Sequence, residues 1–96
     1  MTREEVLQTL AAHREELHDR FGVESLAVFG SIVRSEDTPR SDIDILVRFA
    51  GPATSKRYFG VQFYLEDLLG RPVDLVTDKA LRPELRPYVE SQAVRV

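Results

Sequence analysis

Three aspartates in otherwise apolar segments are the residues whose spacing points to chemistry. Asp42 and Asp44 are two residues apart in the segment Asp42–Phe49, and Asp74 lies within the segment Pro72–Val76. Aspartate is depleted in strands, yet both segments have the apolar pattern of short strands. Alternate side chains of a strand point to one face, so Asp42 and Asp44 share a face and Asp74 occupies the matching position. The three carboxylates converge if the two strands are neighbours.

A converging carboxylate cluster predicts a divalent cation. Carboxylates held close together repel one another and raise the pKa of at least one of them, and a bound cation removes that repulsion. Oxygen-only ligands favour Mg²⁺ or Mn²⁺, and two such ions suit a phosphoryl or nucleotidyl transfer. The alternative is a set of solvent-facing side chains on a half-exposed sheet, which explains one aspartate better than three in matched positions.

The second candidate feature is the turn Gly30–Ser31, which follows the apolar run Ser25–Phe29. Glycine lets a phosphate approach the backbone, and free amides at the start of a helix can hold phosphate oxygens together with the Ser31 hydroxyl. Residues Ile32–Arg34 are predicted to begin that helix, which places Arg34 on the same face as Ser31. A Gly-Ser turn alone is weak evidence, and the phosphate-loop and dinucleotide glycine motifs are absent.

The elements that must position these residues follow from the apolar periodicity. A capping box formed by Thr2 and Glu5 opens the first helix, and Gly22 and Gly70 end the first and second helices. The spacing predicts helices over Thr2–Phe21, Lys56–Leu69 and Leu81–Gln92, and strands over Ser25–Phe29, Asp42–Phe49 and Pro72–Val76. We therefore expect one α/β (α+β) domain over residues 1–96, with helices packed on a small mixed sheet.

Composition excludes several classes of protein. The 96 residues are 43% hydrophobic and 30% charged, which is typical of a folded soluble domain. A net charge of −3 argues against direct electrostatic binding of nucleic acid, and without cysteine there is no thiolate nucleophile. No apolar run approaches the roughly 18 residues of a membrane span, and the charged N-terminus does not resemble a signal peptide. The expected compartment is the cytoplasm.

The combined pattern reads Gly30-Ser31-x-x-Arg34, then Ser41-Asp42-x-Asp44 after a gap of six residues. It resembles the nucleotidyltransferase signature of the DNA polymerase beta superfamily. More narrowly, the chain is similar to the minimal nucleotidyltransferases (MNT), the antitoxins of HEPN–MNT toxin–antitoxin pairs. The resemblance covers Val28 to Val76, and the run Leu68–Val76 around the third carboxylate strengthens it.

The resemblance implies a polymerase beta-like fold and a role for each motif residue. Asp42 and Asp44 would ligate the metal ions, while Asp74 would complete that site and help to deprotonate the acceptor. The nucleotide phosphates would be held by Gly30, Ser31, Arg34 and Ser41. Ser35 departs from the pattern, because many relatives have Gly or Ala at that position.

The family transfers AMP from ATP to a hydroxyl and releases pyrophosphate. In the antitoxin branch the resemblance implies a tyrosine acceptor on a HEPN ribonuclease toxin encoded nearby, and hence a hetero-oligomer. At 96 residues no second domain is expected, so either the nucleotide base is held weakly or a partner supplies the other wall of its site. An acidic site also suits a basic acceptor surface.

Two other functions remain open from the sequence. The chain is a non-catalytic antitoxin if it neutralises its toxin by binding alone, although the retained Asp42, Asp44 and Asp74 argue against that. It is a small-molecule nucleotidyltransferase if the acceptor is a metabolite or an antibiotic.

Overall fold

The structure is a computed structural model that describes residues 1–96. The helices are α1 (Arg3–Ala12), α2 (Arg14–Phe21), α3 (Ser55–Leu69) and α4 (Arg86–Gln92), with a 3-10 turn over Asp78–Ala80 between the last two. The strands are β1 (Val23–Phe29), β2 (Ile43–Phe49), β3 (Val73–Thr77) and β4 (Val94–Arg95). No helix is both long enough and apolar enough to span a membrane.

The strands form one sheet in the order β3-β2-β1-β4. β1 pairs antiparallel with both β2 and β4, whereas β2 and β3 are parallel. The prediction of a small mixed sheet is therefore confirmed. This topology brings three strand ends together: the C-terminal end of β1 and the N-terminal ends of β2 and β3.

One face of the sheet forms the core. Alternate residues of β2 are buried, as the period of two requires, and Asp44 points to the opposite face. Val73 and Leu75 of β3 are buried in the same way, and Asp74 is exposed. One apolar cluster contains 16 buried residues from strands, helices and the turn after β1, among them Val6, Leu10, Leu17, Leu26, Val28, Ile32, Ile43, Ile45, Val61 and Leu65. The predicted alternation is confirmed, and the pairing of Asp44 with Asp74 places these two aspartates on one face, whereas Asp42 precedes β2.

The N-terminal helix is two helices and not the predicted single helix over Thr2–Phe21. The capping box of Thr2 and Glu5 is present, but the helix breaks at His13, whose φ and ψ are −109° and 6°. The His13 ring donates from Nδ1 to the Thr9 carbonyl oxygen at 2.8 Å, and the His13 amide bonds Leu10 instead. In a continuous helix the His13 amide would donate to the Thr9 carbonyl, but the His13 side chain occupies that acceptor.

Two other predicted helices also differ from the structure. Residues Ile32–Arg34 form hydrogen-bonded turns and not the start of a helix, because Ser35 adopts a left-handed φ of 59°. The last helix begins at Arg86 and not at Leu81. Its late start leaves Pro87 in the first turn, where a missing amide hydrogen costs nothing. Strand β4 was not predicted.

Candidate active site

The three aspartates lie at the end of the sheet where β1, β2 and β3 meet. Asp44 is directly opposite Asp74 in the parallel pair of β2 and β3, and opposite Phe29 in the antiparallel pair of β1 and β2. Asp42 precedes the first residue of β2 and is exposed. The register therefore places Asp44 between Asp74 on one side and the Phe29–Gly30 end of β1 on the other.

Gly30 is required by its contact with Asp44. Its φ is +79°, and a Cβ atom at this position would lie 2.0 Å from Oδ2 of Asp44. Any side chain at residue 30 would displace that carboxylate, and the backbone conformation itself is strained for residues other than glycine. The glycine of the predicted phosphate turn thus also makes room for the predicted metal ligand.

The charges of this cluster are poorly compensated. The pKa of Asp44 is raised from 3.8 to about 6, first by burial and then by the charge of Asp74, a hydrogen bond to Asp74 and the charge of Asp42. The charge of Arg34 lowers the pKa of Asp44, but by less. Asp44 therefore holds its proton more tightly than an exposed aspartate, first because it is partly buried and then because its neighbours carry the same charge.

The nearby arginines are paired with other acids. Arg34 donates from Nε to Glu36 at 2.8 Å and from a terminal nitrogen to Gln92 at 2.9 Å. Arg71 forms an ion pair with Asp37 at 3.1 Å. None of the eight salt bridges in the chain includes an aspartate of the cluster.

The turn after β1 offers hydrogen-bond donors next to this cluster. The amides of Val33 and Arg34 bond back to the Gly30 carbonyl, at 3.1 and 3.3 Å. The amides of Ser31 and Ile32 donate to no group in the chain, and neither does the Ser31 hydroxyl. The turn therefore has three donors without a partner in the chain, of which those of Ser31 are the more accessible, because Ile32 is buried.

Ser41 has a different set of contacts from those of Ser31. Its hydroxyl accepts from the Thr38 amide at 2.9 Å and contacts the Thr38 hydroxyl at 3.1 Å. Its carbonyl accepts from Arg71 at 2.7 Å. In this arrangement the Ser41 side chain shapes the loop that leads into Asp42.

The donor set at this end of the sheet suits a hard divalent cation. As placed, no three His, Asp or Glu side chains converge on a single point that could hold an ion. The chemistry of the donors nevertheless fits, because all are carboxylate oxygens, and because burial and the repulsion from Asp74 and Asp42 raise the pKa of Asp44. A cation between Asp44 and its acidic neighbours would offset that repulsion.

Sequence reasoning missed Arg71, which connects the two segments that carry the aspartates. Its guanidinium bonds Asp37, Thr38 and Ser41 in the loop before β2, while its own backbone lies just before β3. The only signal in the sequence is its place in the run Leu68–Val76, three residues before Asp74.

Comparisons with known proteins identify the family of this chain. The family described as Nucleotidyltransferase domain matches residues 10–96. The protein adenylyltransferase MntA of Thermococcus cleftensis is 42% identical over 96 residues, which cover 100% of this chain and 97% of that protein. A solved structure described as a minimal nucleotidyltransferase superposes with a TM-score of 0.78 at 36% identity, over 100% of this chain and 97% of that one.

A more distant structure shares the fold. It is a chain of a Shewanella oneidensis complex between a tri-AMPylated HEPN toxin and an MNT antitoxin. The TM-score is 0.68 at 22% identity, and the match covers 94% of this chain and 70% of that chain. The expected polymerase beta-like nucleotidyltransferase fold is therefore confirmed.

Proposed function

The chain belongs to the nucleotidyltransferase family, among the minimal protein adenylyltransferases, and from this premise we propose that it transfers AMP from ATP to a hydroxyl of a partner protein. The observation that carries the proposal is the contact between Gly30 and Asp44. It places the free donors of the Ser31 turn beside the carboxylates, so one site offers groups for the phosphates and for the reacting oxygen.

The proposed reaction assigns a role to each side chain. The acceptor oxygen attacks the α-phosphorus of ATP, a new oxygen–phosphorus bond forms, and the bond from that phosphorus to the bridging oxygen of pyrophosphate breaks. The Ser31 hydroxyl and the amides of Ser31 and Ile32 hold the phosphate oxygens. Asp74, which is exposed beside Asp44, takes the proton of the acceptor hydroxyl.

Asp42, Asp44 and Asp74 would hold Mg²⁺ or Mn²⁺. Such an ion, when bound, supplies positive charge that stabilises the developing charge on the phosphate and pyrophosphate oxygens. The chain's own contribution is to place the carboxylates at one end of the sheet, with Asp44 fixed by its strand neighbours on both sides.

We assign the acceptor to a tyrosine of a HEPN ribonuclease toxin encoded near this chain. The support is the family resemblance together with the MNT antitoxin that was solved with an AMPylated HEPN toxin. Modification of that tyrosine would silence the ribonuclease, and the chain would then act as an enzymatic antitoxin within a hetero-oligomer. The acidic site face suits a basic surface around the acceptor.

The test uses ATP labelled on the α- or the γ-phosphate, with the purified chain and the helical product of the adjacent gene. AMP transfer puts the α-label on the partner and leaves the γ-label in pyrophosphate. Replacing the modified tyrosine with phenylalanine should abolish the label. Transfer to small molecules alone, or binding of the partner without transfer, would replace this proposal with one of the other two functions.

Metal dependence has a separate test. ATP should raise the thermal midpoint only when Mg²⁺ or Mn²⁺ is present, because the carboxylates repel the free triphosphate. A ligand at about 100 times its Kd adds about 2.7 kcal/mol, which in a domain of this size is a shift on the order of 10 °C. An equal shift with ATP in excess chelator would contradict the metal assignment.

A further inference from the structure

We propose that Arg71 is a positioning residue for Asp42, and that it sets the metal-binding geometry of the site by joining the loop before β2 to the start of β3. The proposal rests on the proposed function for its kinetic part. Its metal-binding part can be measured without any transfer reaction.

The Arg71 guanidinium makes three hydrogen bonds, all to one loop. One terminal nitrogen donates to Asp37 Oδ2 at 3.1 Å, and the other donates to the carbonyl oxygens of Thr38 at 2.9 Å and Ser41 at 2.7 Å. The side chain is only 10% exposed, and its Nε is the one buried side-chain nitrogen or oxygen in the chain without a partner. Arg71 is therefore buried with one donor unpaired, and its other donors bind Asp37 and loop carbonyls that form no hydrogen bonds within the sheet.

Asp42 depends on that loop because it lies outside the sheet. The parallel ladder begins with the pair Ile43 and Val73, and the Ile43 amide bonds the Pro72 carbonyl at 3.0 Å. Asp44 is inside this ladder and is fixed by it, but Asp42 precedes it. Asp42 thus lies between two peptide groups held from the β3 side: the Ile43 amide bonds Pro72, and the Ser41 carbonyl accepts from Arg71. Only the second of these bonds comes from a side chain.

The same arginine is tied through its own backbone to the third carboxylate. Arg71 is three residues before Asp74, and β3 begins only two residues after Arg71. One side chain thus fixes the distance between the segment that carries Asp42 and the segment that carries Asp74. A lysine would retain the positive charge, but its single nitrogen cannot reproduce the planar fork that reaches three acceptors.

Arg57 provides a matched control at the opposite end of β2. One of its terminal nitrogens donates to the carbonyls of Ala50 at 2.8 Å and Pro52 at 3.3 Å, in the loop that leaves the strand. Both arginines therefore bind two backbone carbonyls of a loop next to β2. Only the loop bound by Arg71 carries a residue of the carboxylate cluster.

The experiment compares Arg71→Lys with Arg57→Lys and the unmodified chain. Mn²⁺ affinity is measured by electron paramagnetic resonance without ATP or partner, and kcat and KM are measured for AMP transfer. Partners that orient metal ligands are typically worth about 10- to 100-fold in affinity or activity. Arg71→Lys should weaken Mn²⁺ binding and lower kcat by about that factor, with the KM for the partner unchanged. Arg57→Lys should leave Mn²⁺ affinity and kcat at their original values.

Each other result counts against the proposal. Wild-type Mn²⁺ affinity in Arg71→Lys overturns it, and so does an equal loss in both variants, which would mean that Arg71 only supports the fold. If the unmodified chain transfers no AMP but binds Mn²⁺, the proposed function fails and the affinity comparison still decides the role of Arg71. If the unmodified chain binds no Mn²⁺, both the metal site and this inference are wrong.

Discussion

Strand β2 enters and leaves the sheet through loops that are each held by an arginine, Arg71 at the N-terminal end and Arg57 at the C-terminal end. A glycine with positive φ also lies at each end of β2. Gly30 faces Asp44 at the N-terminal end, and Gly51 follows the strand at the C-terminal end. Each end of β2 therefore has an arginine that binds loop carbonyls and a glycine with positive φ. The ends differ in the residues that these two groups contact.

Charge separates the two ends. At the C-terminal end opposite charges are paired, with Arg48 near Glu24 at 3.8 Å and Arg86 on Asp78 at 3.0 Å. A shallow cavity of about 240 Å³ at this end is lined by acids and bases alike, which are Glu24, Asp78, Arg48 and Lys79 among its nine residues. At the N-terminal end the three aspartates have no salt bridge, although Arg34 and Arg71 are close by.

The difference in charge supports the proposal that the N-terminal end, and not the C-terminal end, binds a ligand. At the C-terminal end Glu24 and Asp78 each pair with an arginine, so these acids have less unbalanced charge for a cation to offset. At the N-terminal end three aspartates lie close together, and their mutual repulsion destabilises the fold. The arginines of this end form ion pairs with Glu36 and Asp37 and not with those aspartates. Strain of this kind is characteristic of functional sites.

The largest effect is expected from Asp44→Asn, which keeps the size of the side chain but removes a metal-binding charge. AMP transfer should fall at least about 1,000-fold, because metal stabilisation of the transition state is worth several kcal/mol and each 1.36 kcal/mol is tenfold. The metal-free protein should be as stable as before or more stable, since one of three repelling carboxylates is gone. Labelled transfer and urea denaturation measure the two quantities.

Asp78→Asn is the control for that change at the opposite end of β2. It breaks the ion pair with Arg86, and because that pair is at the surface, both stability and transfer should stay close to those of the unmodified chain. Full transfer by Asp44→Asn would overturn the metal assignment. Lost transfer with a collapsed thermal midpoint would mean instead that Asp44 is a structural residue.

The two positive-φ glycines should respond differently to alanine. Each substitution forces a left-handed backbone on a Cβ atom, at a cost of about 1–2 kcal/mol. In Gly51→Ala the nearest group is an Arg57 nitrogen at 3.8 Å, so nothing further is lost. In Gly30→Ala the new methyl group would lie 2.0 Å from Asp44 Oδ2, so the carboxylate must move.

A displaced metal ligand should lower kcat in Gly30→Ala by about 100-fold, since a misplacement of about 1 Å can cost that much. Gly51→Ala should retain full transfer at temperatures where it is folded. Equal activities in the two variants would show that the position of Asp44 beside Gly30 does not matter to the reaction.

The contrast between the ends also explains what the sequence could predict. The sequence could predict the aspartates of the site because alternate side chains of a strand lie on opposite faces. Asp42, Asp44 and Asp74 interrupt an apolar pattern that has this period of two. The core, the mixed sheet and the ends of α2 and α3 at glycines follow from equally local rules. The role of Arg71 could not be predicted in this way. Its three partners lie 30 to 34 residues away in the sequence, and only the fold brings Arg71 next to them.

Local side-chain bonds and backbone conformations, which the apolar spacing does not show, explain why some helices were predicted wrongly. Arg14 interrupts the apolar stripe of the predicted first helix, but nothing in the spacing shows that the His13 ring will bond the Thr9 carbonyl. A conformational choice at Ser35 ends the turn after Gly30, and Pro87 delays the last helix. Strand β4 has two residues, too few to carry a periodic signal.

Ser31→Ala should have a smaller effect than either change at Asp44 or Gly30. A hydrogen bond from its hydroxyl to a charged phosphate oxygen is worth about 1.5–3 kcal/mol, so transfer at subsaturating ATP should fall about 10- to 100-fold. Ser25→Ala, at the opposite end of β1, should leave transfer unchanged. An unchanged rate in Ser31→Ala would remove the hydroxyl from the phosphate site.

The smallest effect concerns the stability of the metal-free protein as pH changes. The pKa of Asp44 is raised from 3.8 to about 6, so the folded state holds this proton more tightly than the unfolded state does. The protonated group stabilises the fold fully below about pH 4, and that stabilisation is lost as pH rises through about 6. Because Asp44 is only half-buried, we expect a loss of about 1 kcal/mol after allowing for solvent screening.

Other acids titrate in the same range, so the measurement is a difference. The free energy of unfolding in chelator is determined by urea denaturation for the wild type and for Asp44→Asn, from about pH 4 to about pH 7.5. Asparagine cannot ionise, so the wild type should lose about 1 kcal/mol relative to Asp44→Asn across that window. A constant difference would mean that burial and the neighbouring aspartates do not perturb Asp44. The N-terminal end of β2 would then be no more strained by its charges than the C-terminal end, and the comparison between them would fail.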